Sequence, residues 1–288
     1  MMLAPPLRVA LGGPSSACRP GALRVSGEGR RLVARLGVLI IVLFALSHEA
    51  RAAACPNNFT LRAHVTGIDQ SGDLVLSDAG LVRLAGLALE DDMTDLRTAL
   101  EKLVVGRDVT IAPTTIRPDR YGRLAGLVRL DHDGPILQHE VLARGLALAQ
   151  PEEGTLGCMG ELLKAEAPAR AKKLGAWAGM PLVARNIAGL SARQGRFTIL
   201  TGRVRSVGKG RGVDYLNFGS IWRQDMTVRL DSRARAAFEQ AGMTLESFTG
   251  RQITVRGAVF EAGGPAIDVR WIEQIEGAQG ETMSGAGN

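Results

Sequence analysis

The sequence predicts a mainly β fold with helices (α+β), built as two small five-stranded barrels in tandem. Three observations carry that prediction. Residues 55–180 and 196–276 each run through three strands, a helix and two more strands. Thirty-six glycines without a G-X-Y period favour a turn-rich β fold over a fibrous one. A chain of 288 residues is long enough for two modest domains.

In the first stretch, Phe59–Gly67 alternates as a strand does. Gly72-Asp73 reads as a turn feeding Leu74–Leu76, and Asp78-Ala-Gly80 as a turn feeding Leu81–Ala85. Asp91–Val105 places Met93, Leu96, Leu100, Leu103 and Val104 at helical spacing. Arg107–Ala112 and Leu124–Leu130 are further strands. Leu137–Ala149 and Leu156–Trp177 read as two extra C-terminal helices, with Pro168 expected to kink or interrupt the second. Three strands, a helix and two strands is the order of a Greek-key barrel of OB type.

The second stretch repeats that order. Strands are expected at Phe197–Val207, Val213–Phe218, Asp225–Leu230, Gln252–Phe260 and Ala266–Trp271. The helix between the third and fourth strands is Ser232–Ala241, closed by Gly242. Residues 181–195 read as a linker, and 277–288 as a small, polar, disordered tail.

A net charge of +6 suggests an anionic partner, but the charge is unevenly distributed. Residues 1–54 hold seven arginines and two acids, hence +5, and leave about +1 for the rest. Residues 55–185 come to −2 and residues 186–288 to +3. The leader has a basic region, a short apolar run (Leu36–Leu46) and small residues at Ala52-Ala-Ala54. Those are the parts of a secretory signal, and the run is short of the ~20 residues a spanning helix needs. The expectation is export to the periplasm or beyond. The alternative is a membrane anchor formed by residues 36–47. Without the leader two cysteines remain, Cys55 and Cys158. In an oxidising compartment they either pair or stay as two thiols.

Several motifs resemble the staphylococcal (micrococcal) nuclease family: Gly72-Asp73, Val82-Arg83-Leu84-Ala85-Gly86, Asp119-Arg-Tyr-Gly-Arg123, Leu137-Gln138 and Leu162-Leu-Lys-Ala-Glu166. The resemblance covers about 120 residues in order, and Asp119–Arg123 is its most specific part. It implies hydrolysis of DNA or RNA phosphodiesters with Ca²⁺. By position, Arg83 and Arg123 match the two arginines that neutralise the phosphorus centre, a role suited to bidentate guanidinium donors. Asp73 matches a metal-binding aspartate. Arg120 and Tyr121 match the residues that touch a nucleotide's terminal phosphate.

The chain also departs from the family pattern. Ser71-Gly72-Asp73-Leu74 stands where the family has Asp-Gly-Asp-Thr. Leu87-Ala88-Leu89-Glu90-Asp91 stands where it has Ile-Asp-Thr-Pro-Glu. Ala88 thus replaces a second metal-binding aspartate. Asp91 falls at the catalytic acid position, with Glu90 as the substitute acid. Pro151-Glu152-Glu153 occupies the region of the base-stacking aromatics. Ca²⁺ wants several oxygen ligands, so its site is incomplete.

Two functions follow. Either Glu90, Asp91 or Asp92 rebuilds a shifted catalytic site, or the chain is an inactive nuclease fold serving as an exported nucleic-acid-binding or protein-interaction module. The same residues also have a structural reading. Arg83 and Arg123 would pair with Asp91, Asp92 or Asp119, and Asp73 would be a turn residue. Glu166 and Arg170 would form an i,i+4 pair. His64, His132 and His139 lack metal-ligand spacing. The second stretch resembles an OB-like module that follows nuclease-like domains in secreted bacterial proteins, through Gly202-Arg-Val204, Tyr215–Gly219, Trp222–Asp225 and Val255-Arg-Gly257. There Tyr215, Phe218 and Trp222, with Arg203, Arg205, Lys209, Arg211 and Arg223, suit single-strand stacking.

Overall fold

A computed structural model of the chain describes residues 55–276 except 132, 222 and 223. The leader 1–54, with its signal or anchor at 36–47, and the tail 277–288 lie outside the described residues. So do His132, Trp222 and Arg223.

The fold is mixed α+β with a β-barrel. In chain order its first part is β1 Leu61–Ile68, β2 Leu74–Leu76, β3 Leu81–Leu84, β4 Leu87–Ala88, α1 Thr94–Val104, β5 Asp108–Pro113, β6 Arg123–Leu130, α2 Leu137–Ala143, β7 Leu148–Ala149 and α3 Met159–Lys172. Five strands close into a barrel in the order β1-β2-β3-β6-β5. All its pairs are antiparallel except β3–β6, which is parallel. The alternation read from the sequence places Val65, Leu74, Leu76, Val82, Leu84, Ile111 and Leu127 in the barrel core. The helix α1 adds Leu96, Leu100 and Val104, its i, i+4, i+8 stripe.

Gln138 fixes α2 to the barrel. Its side chain is wholly buried; Oε1 accepts from Val128 N, and Nε2 donates to Gly126 O and Ala85 O. Gly126 is required beneath it, since a Cβ there would lie 2.8 Å from Ile111 Cγ2. Pro168 lies inside α3, which continues through it to Lys172. A disulfide joins Cys55 to Cys158, 103 residues apart. Cys158 ends a 3-10 turn, Leu156–Cys158, that leads into α3.

The second part comprises β8 Leu182–Val183, α4 Ile187–Ser191, β9 Phe197–Arg203, β10 Ser206–Lys209, β11 Val213–Asn217, β12 Thr227–Asp231, α5 Ser232–Gln240, β13 Gln252–Glu261, β14 Pro265–Val269 and β15 Ile275–Glu276. These strands form one sheet in the order β10-β11-β12-β14-β13-β9-β8, with β15 also on β13. The two ends of the path from β10 to β9 are consecutive in the chain, separated by Val204 and Arg205 alone. The expected first strand, Phe197–Val207, is therefore bent into two pieces. The stretch expected as a linker is folded instead: β8 pairs in parallel with β9, and α4 follows it.

A small apolar cluster joins the two parts. Trp177, Ala88, Leu148, Ala169 and Met180 from the first pack with Ile199 of β9. Arg256 of β13 is fully buried beside it. Arg256 donates from Nη1 to Ala149 O at 2.6 Å and from Nη2 to the carboxylates of Glu166 and Glu276. Glu166 also accepts from Ala149 N, while Arg170 donates to Glu276 at 2.6 Å. The expected Glu166–Arg170 pair is thus replaced by longer-range partners: buried Glu166 is met by Arg256, and half-buried Arg170 reaches Glu276.

Candidate functional site

Asp73, Arg83 and Arg123 converge on one small cavity of about 100 Å³, together with Leu84, Leu87 and Leu96. Each is placed by a local device. Asp69 Oδ1 accepts from Ser71 N and Asp73 N, closing the turn that Gly72 enters at φ +79°. Leu74 anchors the other side of that turn in the core. Asp73 is therefore 2% exposed. Burial pushes its carboxyl above the ordinary value, Asp69 adds to the rise, and Arg123 and Arg83 oppose it.

Arg123 begins β6 and is held by the loop before it. Asp119 Oδ1 accepts from the backbone N–H groups of Tyr121 and Arg123. Its Oδ2 takes two guanidinium bonds, from Nε at 2.9 Å and Nη2 at 2.7 Å. Those bonds bring the Asp119 carboxyl down to about 2. The remaining Arg123 nitrogen, Nη1, lies 3.4 Å from Asp73 Oδ2. Tyr121 is 60% exposed, with Arg120 and Arg123 over its ring at 4.8 and 5.0 Å. Neither Arg120 nor Tyr121 lines the cavity with Arg83 and Asp73.

Arg83 is the outward residue of β3 between buried Val82 and Leu84. It forms a fork with Glu152, Nη2 to Oε2 at 2.9 Å and Nη1 to Oε1 at 3.3 Å. Glu152 also accepts from Gly86 N at 2.6 Å. In the sequence Glu152 stands only as part of Pro151-Glu152-Glu153, in the region of the base-stacking aromatics. Its pairing with Arg83, 69 residues away, leaves no mark in the local sequence. Glu152→Gln is expected to lower stability by about 1.5–3 kcal/mol, the range for charge-assisted bonds, read as a thermal or urea midpoint.

The acids expected to do chemistry are directed elsewhere. Glu90 receives a two-bonded fork from Arg193, at 2.9 and 3.0 Å, and faces a groove with Asp92 and Asp95. Asp91 pairs with Arg196 at 2.6 Å and its side chain is 67% exposed. Asp92 Oδ1 accepts from Thr94 N at the start of α1. None of the three lines the cavity of Arg83 and Arg123. Arg193 and Arg196 belong to the segment beside β9, so the displacement comes from contact with the second part of the chain. The structural pairing expected for Arg83 and Arg123 is thus realised with Glu152 and Asp119 rather than with Asp91 or Asp92.

The donors present do not suit Ca²⁺. Asp73 is the carboxylate among the cavity's lining residues, its proton affinity is raised, and Arg123 competes for it. Ala88 brings no oxygen ligand from its side chain. Among the described residues no group of three or more His, Cys, Asp or Glu could hold a metal ion. A hard cation that takes 6–8 oxygens would find one carboxylate there, with the Ser71 hydroxyl as the other side-chain oxygen of the lining.

Residues 95–179 match the family model described as staphylococcal nuclease homologue. The match takes in Asp119, Arg123 and Glu152, and begins after Asp73, Arg83, Glu90 and Asp91. No curated protein matches the chain.

Proposed function

We propose, from the match of residues 95–179 to the staphylococcal nuclease homologue model, that the chain is an exported nuclease-fold protein that binds nucleic acid without cutting it. One observation carries this reading: both arginines at the family's catalytic positions are committed to carboxylates of the chain. A guanidinium that already forks onto Glu152 or Asp119 has fewer donors for a phosphoryl centre gaining charge. The acids at or beside the catalytic position, Glu90 and Asp91, are held by Arg193 and Arg196. General-base catalysis requires reach before it requires the right proton affinity.

Export is supported by the signal-like leader and by the Cys55–Cys158 bond, which suits an oxidising compartment. We read the second sheet as an OB-type module. Its strand order repeats that of the first barrel once β9 and β10 are counted as one bent strand.

The test is cleavage of single-stranded DNA with Ca²⁺ and with chelator, using Arg123→Ala as the control. The expected result is wild-type cleavage no faster than that of the variant. Ca²⁺-dependent cleavage that Arg123→Ala abolishes overturns the reading and restores the phosphodiesterase.

A further inference from the structure

We propose that a cleft on the second sheet, lined by Arg185, Arg203 and Arg205, binds the phosphate backbone of single-stranded nucleic acid. The cleft has a volume of about 430 Å³ and no carboxylate among its lining residues. This assignment rests on the nucleic-acid-binding reading above and places the ligand away from the nuclease-like cavity.

The charge arrangement calls for an anion. Several basic side chains of the second part are satisfied within the chain: Arg193 by Glu90, Lys209 by Glu246, Arg229 by Asp268, Arg235 by Asp214 and Arg256 by Glu166. Arg185 and Arg205 make no side-chain hydrogen bond or ion pair among the described residues. Arg203 gives one N–H to Gly250 O, which orients it and leaves its other donors free. Three guanidiniums around one cleft repel one another, and a bound polyanion removes that cost.

The backbone beneath fixes their spacing. Gly202 and Val204 point inward while Arg203 and Arg205 point outward. Arg203 ends β9 and Arg205 sits in the bend that leads into β10, so both side chains leave the same short stretch of chain. Three guanidinium groups around one cleft favour a ligand with several phosphates over a lone phosphate. Phe218 forms an apolar floor, and Gly202 makes room for its ring, since a Cβ there would lie 2.6 Å from Phe218 Cδ1. The nuclease-like cavity offers the opposite conditions, at about 100 Å³ with both arginines paired.

The test is fluorescence anisotropy of a labelled oligothymidylate with the full chain, repeated over a salt series. The triple variant Arg185→Gln, Arg203→Gln, Arg205→Gln is expected to bind at least ~10-fold more weakly, and its slope of log affinity against log salt is expected to flatten by about 2 for three lost phosphate contacts. Arg205→Glu, a single exposed change, is expected to weaken binding too and carries the test if the triple variant melts early. Unchanged affinity and slope in both variants overturn the assignment. So does binding that Arg123→Gln abolishes and the cleft variants leave alone, which puts the strand on the nuclease-like cavity. A sulfated oligosaccharide that outcompetes unlabelled oligothymidylate overturns the choice of ligand. The Ca²⁺ cleavage assay on the same oligonucleotide is scored separately. Cleavage there sinks the non-catalytic reading and leaves the cleft to stand or fall on its own variants.

Discussion

Replacing Arg256 with methionine is expected to destabilise the chain by about 3–5 kcal/mol, the cost of leaving a buried carboxylate without its partner. The Arg256 side chain is 0% exposed and that of Glu166 is 2% exposed. Without the guanidinium, Glu166 keeps a single donor, Ala149 N, and Ala149 O loses its Nη1 partner. Glu276 keeps Arg170. The pH dependence distinguishes this loss from a simple packing defect. In the native chain, burial pushes Glu276 up but Arg256 and Arg170 outweigh it, so its carboxyl sits below the ordinary value. That gives stability above the unfolded-state value, lost as pH falls. Burial pushes Glu166 up and the pull of Arg256 offsets it in part. In Arg256→Met both carboxyls move upward, so protonation favours the fold and the deficit narrows as pH falls through the carboxylate range. A deficit that is constant across pH, or a midpoint within error of wild type, sinks the argument. Pairing Arg256→Met with Glu166→Met is expected to recover much of the loss, since an apolar pair of similar volume avoids desolvating both charges.

The same network shows where the sequence was legible. The strands of the closed barrel, and the β1-β2-β3 meander within it, follow from local alternation and from turns at Gly72 and Gly80, which need no distant information. Asp73, Arg83 and Arg123 carried their own motif, and the fold brings them to one cavity. What escaped were pairings across long separations. Glu90 meets Arg193 103 residues away, and Arg83 meets Glu152 69 residues away. Periodicity reports which face a residue occupies, and carries no information on which opposite charge faces it. Residues 181–195 looked like a linker because β8 is two residues long and α4 five, too short for a periodic signal. Glu90 and Asp91 fall at or beside the family's catalytic acid position, and their partners, Arg193 and Arg196, lie in that stretch or just past it. Arg203 and Arg205 are legible beside the aromatics, whereas Arg185 joins them only through the short β8–α4 stretch.

Opening the Cys55–Cys158 bond is expected to cost about 2–5 kcal/mol, with ~4.7 kcal/mol the chain-entropy figure for a loop of about 100 residues. The bond spans 103 residues and encloses all five barrel strands, α1 and α2. Cys158 is 1% exposed, and Cys55 packs against the barrel core. Reduction therefore releases the segment before β1 from the turn that starts α3. The measurement is the urea midpoint with and without reductant, alongside the double variant Cys55→Ser, Cys158→Ser. Reductant is expected to lower the native midpoint to that of the variant and to leave the variant unmoved. A native midpoint indifferent to reductant overturns this. The consequence reaches the functional proposal: α3 also supplies Glu166 to Arg256, and β7 just before that turn supplies Ala149. Loosening the turn at Cys158 is thus expected to weaken the join between the barrel and the sheet that carries the arginine cleft. Oligothymidylate binding should then survive reduction only where the Arg256 network holds the two parts without help, so reduced protein carrying Arg256→Met should lose more affinity than either change alone predicts.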